Sequence, residues 1–210
     1  MVFDKEFKEA VLNLSTTEKD KLLIRLLKKD QALIDKLHFE LVSIVSVDEA
    51  RDAIDKKMSV NFLAPRQYDF SPVWTMNQLR FMSGSIAYHV KTTKDKFGEA
   101  SLNLLMLNRC LKNNADGIKK CTSSEKLRKL FIYIINKAFK ILITIDDLHE
   151  DCFLDLEKDI ELLKAHLLKN ERLMQLCVYN GFDINWLSQK GFPENIKIIY
   201  KEVRAQGFLK

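Results

Sequence analysis

Apolar side chains recur every three or four residues along almost the whole chain, the spacing that places them on one face of an α-helix. Residues 33 to 45 show the pattern well, with apolar side chains at Leu33, Ile34, Leu37, Leu41 and Val45. Only six glycines and three prolines in 210 residues leave few positions for tight turns or helix breaks. The sequence therefore predicts an all-α protein, built as stacked antiparallel αα-hairpins or as an irregular multi-helix bundle of about nine or ten helices.

Helix starts are marked by capping residues. Ser15 is followed three residues later by Glu18, and Thr122 by Glu125, the spacing of a capping box that satisfies free N–H groups of a first turn. The first box predicts a helix carrying Leu22, Leu23, Leu26 and Leu27 on one face. The second predicts a long helix to about residue 143. Residues 130–145 are rich in β-branched side chains, which leaves a strand pair as an alternative, but the cap and a polar stripe favour a helix.

Two prolines, Pro65 and Pro72, interrupt the helical pattern between residues 60 and 73. We divide the chain into N-terminal helical hairpins (1–59), an aromatic and proline-containing loop (60–73), a main helical bundle (74–180) and short C-terminal helices (181–210), all within one compact domain. In the helix after Pro72, Ser83, Gly84 and Ser85 are small enough to permit close contact with another helix.

The 60–73 loop is a candidate recognition element, because loops on rigid scaffolds often carry binding groups. Its candidate binding residues are Arg66 and Tyr68, with Trp74 just beyond it. The alternative interpretation, which we favour, is that these aromatic side chains cover the ends of helices.

Positive charge is concentrated in the middle of the chain. Residues 61–145 contain 14 basic and 5 acidic residues, whereas residues 146–170 contain 3 basic and 8 acidic ones. The candidate binding residues there are Lys119, Lys120, Lys126 and Lys129, with Lys137 and Lys140 further along. A lysine-rich helix face of this kind predicts salt-dependent binding of nucleic acid. Neutralisation by the acidic segment that follows is the alternative.

The segment TIDDLHED at 144–151 contains four carboxylates, and on a helix two pairs of them lie four residues apart. Such pairs can share a cation, so Asp146, Asp147, Glu150 and Asp151 are candidate metal ligands. The string Asp146-Asp147-x-x-Glu150 superficially resembles the aspartate-rich motif of all-α isoprenoid synthases, which implies magnesium chemistry; their second motif has no counterpart here. The favoured interpretation is that Thr144 and Asp147 cap a helix from about 146 to 169, with the acids in its first turn.

Catalytic patterns are otherwise missing from the sequence. It contains no G-x-S-x-G elbow, no glycine-rich phosphate loop and no C-x-x-C pair, so we predict no catalytic residues and no cofactor. The most apolar run, 130–145, is shorter than the roughly 20 residues of a membrane-spanning helix, and the N-terminus lacks a signal-peptide pattern, so we expect a cytoplasmic protein without membrane contact. The leading hypothesis is a non-enzymatic interaction or scaffold module with a protein partner. The alternatives are a nucleic-acid-binding protein and a metal-dependent enzyme.

Overall fold

A computed structural model describes residues 3–63, 70–149 and 151–210. Within these residues the chain forms ten α-helices and two 3-10 turns, and no strand. This confirms the predicted all-α multi-helix bundle and the helical state of residues 130–145. The helices are α1 (Lys5–Leu12), α2 (Thr16–Leu27), α3 (Gln31–Leu41), α4 (Val47–Leu63), α5 (Pro72–Thr93), α6 (Lys96–Lys120), α7 (Ser124–Asp146), α8 (Asp151–Leu168), α9 (Glu171–Tyr179) and α10 (Ile196–Ala205).

The hydrophobic core lies between α5, α6 and α7, which pack against one another. Helix α4 covers α5 and α6, α8 packs against α6, and α9 and α10 pack against α7. The core positions of α6 and α7 follow the helical spacing of apolar residues, so one face of each helix is buried almost throughout its length. The fold therefore has a central three-helix layer with shorter helices around it.

The first three helices differ from the rest because none of their residues is buried. Helix α3 packs along α5, and α2 precedes α3 in the chain. The two are joined by a short turn at Asp30, whose carboxylate accepts a hydrogen bond from the backbone N–H of Leu33 at 3.1 Å. The capping box predicted at Ser15 and Glu18 forms at the start of α2. Residues 3–45 thus form a helical layer at the margin of the bundle.

The capping box predicted at Thr122 and Glu125 does not form, and that prediction was wrong. Helix α7 begins one residue later, and Ser123 at the cap position makes no side-chain cap hydrogen bond. The Glu125 carboxylate lies 2.7 Å from Lys129 Nζ, one turn along the same helix. This i,i+4 ion pair draws the carboxylate away from the helix start, so the first-turn N–H groups of α7 have no side-chain cap.

Three other boundaries also differ from the sequence prediction. Helix α4 continues to Leu63, so the interruption before α5 is shorter than 60–73. The stretch from Gly181 to Gly191 forms only two 3-10 turns, Ile184–Trp186 and Gln189–Gly191, where a helix was expected. The last of the predicted C-terminal helices, α10, begins only after Pro193, with Asn195 at its cap position.

Gly84, expected to allow close helix contact, instead faces open space. A Cβ atom added there would have no heavy atom within 4 Å, although the neighbouring Ser83 does contact α7, with its hydroxyl 2.9 Å from Tyr133 Oη. Because glycine within a helix is less favourable than alanine, we expect Gly84→Ala to raise the free energy of unfolding by about 0.8–1.0 kcal/mol in urea denaturation. Gly98→Ala is the matched opposite case, since its Cβ would lie 1.9 Å from Asp95 Oδ2. A loss of stability in Gly84→Ala would contradict the open environment.

Candidate functional site

Asp146 and Asp147 of TIDDLHED lie at the end of a helix and not at its start. Asp146 is the last residue of α7 and Asp147 occupies its C-cap position. Lys197 Nζ of α10 lies 3.3 Å from Asp146 Oδ2 and also forms a short ion pair with Asp147. Carboxylates are unfavourable near the negative end of a helix dipole, and the lysine offsets this. The prediction that Asp146 and Asp147 lie in the first turn of a helix was therefore wrong, whereas Asp151 does lie in the first turn of α8.

Asp151, the other candidate metal ligand that the structure describes, does not form a metal-binding cluster with this pair. Asp151 begins α8 and lies 3.1 Å from His149 Nδ1, while Glu150 lies outside the described residues. Over the three described ranges, no three His, Cys, Asp or Glu side chains are grouped so that they could hold a metal ion. Hydrogen bonding to Asp147 raises the pKa of Lys197, so the charged amine is firmly held at this position. Asp146 and Asp147 therefore bind the lysine Lys197.

The predicted basic residues collect at one end of the bundle. Lys119 and Lys120 end α6, and Lys126 lies in the first turns of α7; all three are exposed and form no ion pair with a described residue. Lys129 is exposed but paired with Glu125. The acidic helix α8 packs against α6, yet its carboxylates form no salt bridge with these lysines. No salt bridge among the described residues therefore neutralises Lys119, Lys120 or Lys126, and neutralisation by the acidic segment as a whole stays a prediction.

Lys137, further along the predicted basic face, points away from it. Its side chain is half-buried, and Nζ donates a hydrogen bond to Asn103 Oδ1 at 3.3 Å. Burial, with a smaller contribution from the charge of Lys140, lowers the pKa of Lys137 to about 8. Lys137 consequently does not extend the basic surface along α7, although Lys140, about one turn further on, is exposed.

The structure describes only one of the candidate binding residues in and just after the 60–73 loop. Arg66 and Tyr68 lie outside the described residues. Trp74 lies in the first turn of α5, where its backbone N–H donates to Ser71 Oγ at 3.4 Å and its ring is exposed. Its role as a binding residue remains a prediction.

An apolar groove between α1 and α2 is a concave surface that sequence reasoning missed. Residues of both helices line it, and Lys19 Nζ donates to the carbonyl oxygen of Leu12 at 2.8 Å, which satisfies the end of α1. The groove has a volume of about 940 Å³. Its apolar lining consists of Phe3, Phe7, Val11, Leu12, Leu14, Leu22 and Leu26.

Large apolar side chains in this groove remain open to solvent. Phe3 is 64% exposed, Phe7 52%, Leu12 61% and Leu26 52%. The Phe3 and Phe7 rings contact each other with centroids 5.4 Å apart, so they form one continuous apolar wall. Leu23 beside the groove is also exposed, although the sequence pattern assigned it to a buried face. Exposed apolar patches of connected side chains are typical of binding surfaces.

The rim of this groove is basic. Lys8, Lys21 and Arg25 line it and form no ion pair with any residue that the structure describes. The single acid of the lining, Glu18, is occupied by the capping box, and hydrogen bonds from the Ser15 side chain and backbone lower its pKa. An apolar floor bordered by three free cations suits an amphipathic ligand that carries negative charge beside an apolar face.

Comparisons with known proteins found no counterpart: no family model matches the sequence, and searches of curated proteins and of solved structures gave no match. A search of the described helices for one long and apolar enough to span a membrane also found none.

Proposed function

We propose that this chain is a non-enzymatic helical interaction protein whose α1–α2 groove binds an amphipathic helix of a partner protein, with acidic residues flanking the helix's apolar face. The observation that carries the proposal is the combination of an open apolar floor and an unpaired basic rim on a hairpin that contributes nothing to the core. Binding of an apolar helix face in a groove is a common mode of peptide recognition.

The size of the groove supports a helix as the occupant. The lining extends from Phe3 through α1 and along α2 to Leu26, so a third helix placed there would contact both walls. Its apolar face would cover Phe7 and Leu26, and carboxylates one turn away on either side would meet Lys8 and Arg25. The hydrophobic contacts would supply most of the affinity, and the rim would supply orientation and specificity.

The experiment uses two synthetic helical peptides about 20 residues long, which is roughly 30 Å of helix. Both carry the same leucine face; one is flanked by glutamates and the other by lysines. We expect the glutamate peptide to bind the full chain in fluorescence anisotropy at low salt, and the lysine peptide to bind at least about tenfold more weakly. The difference should shrink at about 1 M salt, because exposed charges are then screened.

Two sets of variants test whether the groove is responsible. Phe7→Asp and Leu26→Asp should each weaken binding of the glutamate peptide by at least about tenfold, the effect of losing a central apolar contact. The double charge reversal Lys21→Glu and Arg25→Glu should transfer the preference to the lysine peptide. Leu162→Asp is the matched control, because Leu162 is an exposed leucine on α8, outside the groove.

Several results would contradict the proposal. These are failure of both peptides to bind, equal weakening by Leu162→Asp, or an unchanged preference after charge reversal. A dimer in gel filtration that Phe7→Asp converts to a monomer would instead show that a second copy of the chain occupies the groove.

A further inference from the structure

Two clefts meet at the basic end of the bundle, where α6 ends, α7 begins and α9 begins. The first has a volume of about 470 Å³ and is lined by Lys119, Lys169 and Arg172, together with the acids Asp116 and Glu171. The second has a volume of about 450 Å³ and shares Arg172 with the first. The two clefts therefore adjoin each other at Arg172.

The second cleft has the chemistry of a nucleotide site. Its polar lining consists of two guanidinium groups, Arg128 and Arg172, with hydroxyl or amide groups at Thr122, Ser124 and Gln175. None of its lining residues is a carboxylate. Guanidinium and hydroxyl groups bind phosphate oxygens, and two arginines at one cleft are better suited to this than isolated lysines.

An aromatic side chain completes this cleft. Tyr179 lines it and is 63% exposed, although its ring makes a T-shaped contact with Phe208, with centroids 5.6 Å apart. Arg172, Gln175 and Tyr179 are spaced along α9 so that they share one face of that helix. Because most of the Tyr179 side chain is exposed, an unpaired base can stack on its ring.

The basic surroundings extend beyond the clefts. Lys120 and Lys126 lie on either side of the α6–α7 link and form no ion pair with a described residue. Arg172 is fixed near this link because its Nη1 donates to the carbonyl oxygen of Cys121 at 3.2 Å. A phosphate backbone lying across Arg172 would therefore meet further cations on both sides.

We propose that this end of the bundle binds single-stranded nucleic acid, with phosphates on Arg128 and Arg172 and one base stacked on Tyr179. A single strand suits the site better than a duplex, because paired and stacked bases cannot reach a ring inside a cleft. This surface is separate from the α1–α2 groove, so the two proposals succeed or fail independently.

The test measures fluorescence anisotropy of a labelled RNA strand about 12 nucleotides long, the DNA strand of the same sequence, and the corresponding DNA duplex. We expect both single strands to bind the full chain more tightly than the duplex, with affinity falling steeply between roughly 50 and 200 mM salt. Unlabelled ATP is the competitor that distinguishes a mononucleotide site from a strand site. A strand site requires that ATP displace the oligonucleotide only at concentrations far above those of the competing unlabelled strand.

Substitutions separate the ring from the charges. Tyr179→Ala should weaken binding by at least about fivefold, whereas Tyr179→Phe, which keeps the stacking face, should stay within about twofold. Arg128→Gln should weaken binding to all strands and make the dependence on salt less steep by about one unit of slope. Arg25→Gln is the control, since it removes an exposed guanidinium from the other surface.

The proposal is overturned if no strand binds at the lower salt concentration, if the duplex binds as tightly as the single strands, or if ATP competes as well as the unlabelled strand. It is equally overturned if Arg128→Gln and Tyr179→Ala leave binding unchanged. Circular dichroism of each variant verifies that its helices are intact. Arg128 is substituted and not Arg172, because Arg172 makes a structural hydrogen bond to Cys121, whereas Arg128 is exposed and forms no ion pair with a described residue.

Discussion

Replacing Asp95 by alanine is expected to lower the free energy of unfolding by about 3–5 kcal/mol, the range for breaking a buried ion pair from one side. The Asp95 carboxylate is almost fully buried at the start of α6. It accepts hydrogen bonds from Arg51 Nε at 2.8 Å and Nη2 at 3.0 Å, and Nε2 of the buried His89 lies 3.0 Å away. It also caps α6 by accepting from the backbone N–H of Gly98 at 2.7 Å.

The cost is large because one side chain connects three helices. Arg51 belongs to α4, His89 to α5, and Asp95 caps α6, so removal of the carboxylate leaves a guanidinium and an imidazole without their shared partner. Asp48 provides a matched control, since its exposed carboxylate pairs with the same Arg51 at 3.0 Å. We expect Asp48→Ala to have only a small effect, as is usual for exposed ion pairs. Equal effects of the two substitutions would contradict this account.

The effect of Asp95→Ala should also depend on pH. Burial acts to raise the pKa of Asp95, but the hydrogen bonds from Arg51, His89 and Gly98 together outweigh it, so the pKa is lowered in the folded chain. A lowered carboxylate pKa stabilises the fold above the unfolded-state value of about 3.9, and this contribution is lost as pH falls through the folded-state pKa. The stability difference between wild type and variant in urea denaturation should therefore be constant above about pH 5 and narrow below about pH 4.

Sequence periodicity predicted the helices well, because the apolar side chains on a helix face that packs in the core recur every three or four residues. It could not tell which faces pack. The apolar side chains of α2, like those of α7, recur every three or four residues, yet Leu23 and Leu26 are exposed whereas Leu130 and Leu142 are buried. The difference is set by whether another element covers the face, and that depends on residues far away in the sequence.

Local motifs were reliable only where their partners are local. The Ser15 box joins groups three residues apart and forms as predicted. Asp146 and Asp147 instead bind Lys197, about 50 residues later, which no spacing rule could indicate. The same limit applies to the cleft at Arg172, because α7 and α9 supply its two arginines from separate segments. At the Lys197 ion pairs and at the Arg172 cleft, the sequence could not predict that side chains from distant segments come together.

An aromatic cluster holds the C-terminal segment against α7. The ring of Phe139, which is fully buried, lies 5.0 Å from Phe182, 5.8 Å from Trp186 and 5.4 Å from Tyr200, measured between centroids. Tyr200 is fixed in turn by its hydroxyl, which donates to Asn136 Oδ1 at 2.7 Å. One side chain of α7 thus contacts three rings that lie after α9.

Phe139→Ala is therefore expected to lower the free energy of unfolding by about 3–5 kcal/mol, because it removes the shared partner of these rings and leaves a cavity. For a chain of this length we expect the melting temperature to fall by roughly 6–20 °C in thermal denaturation. Tyr179→Ala is the control: its ring also contacts another aromatic residue, Phe208, but is mostly exposed, so its loss should change the melting temperature little. If the two substitutions destabilise the chain equally, Tyr179 is part of the core packing, and a loss of strand binding in Tyr179→Ala can no longer be assigned to stacking.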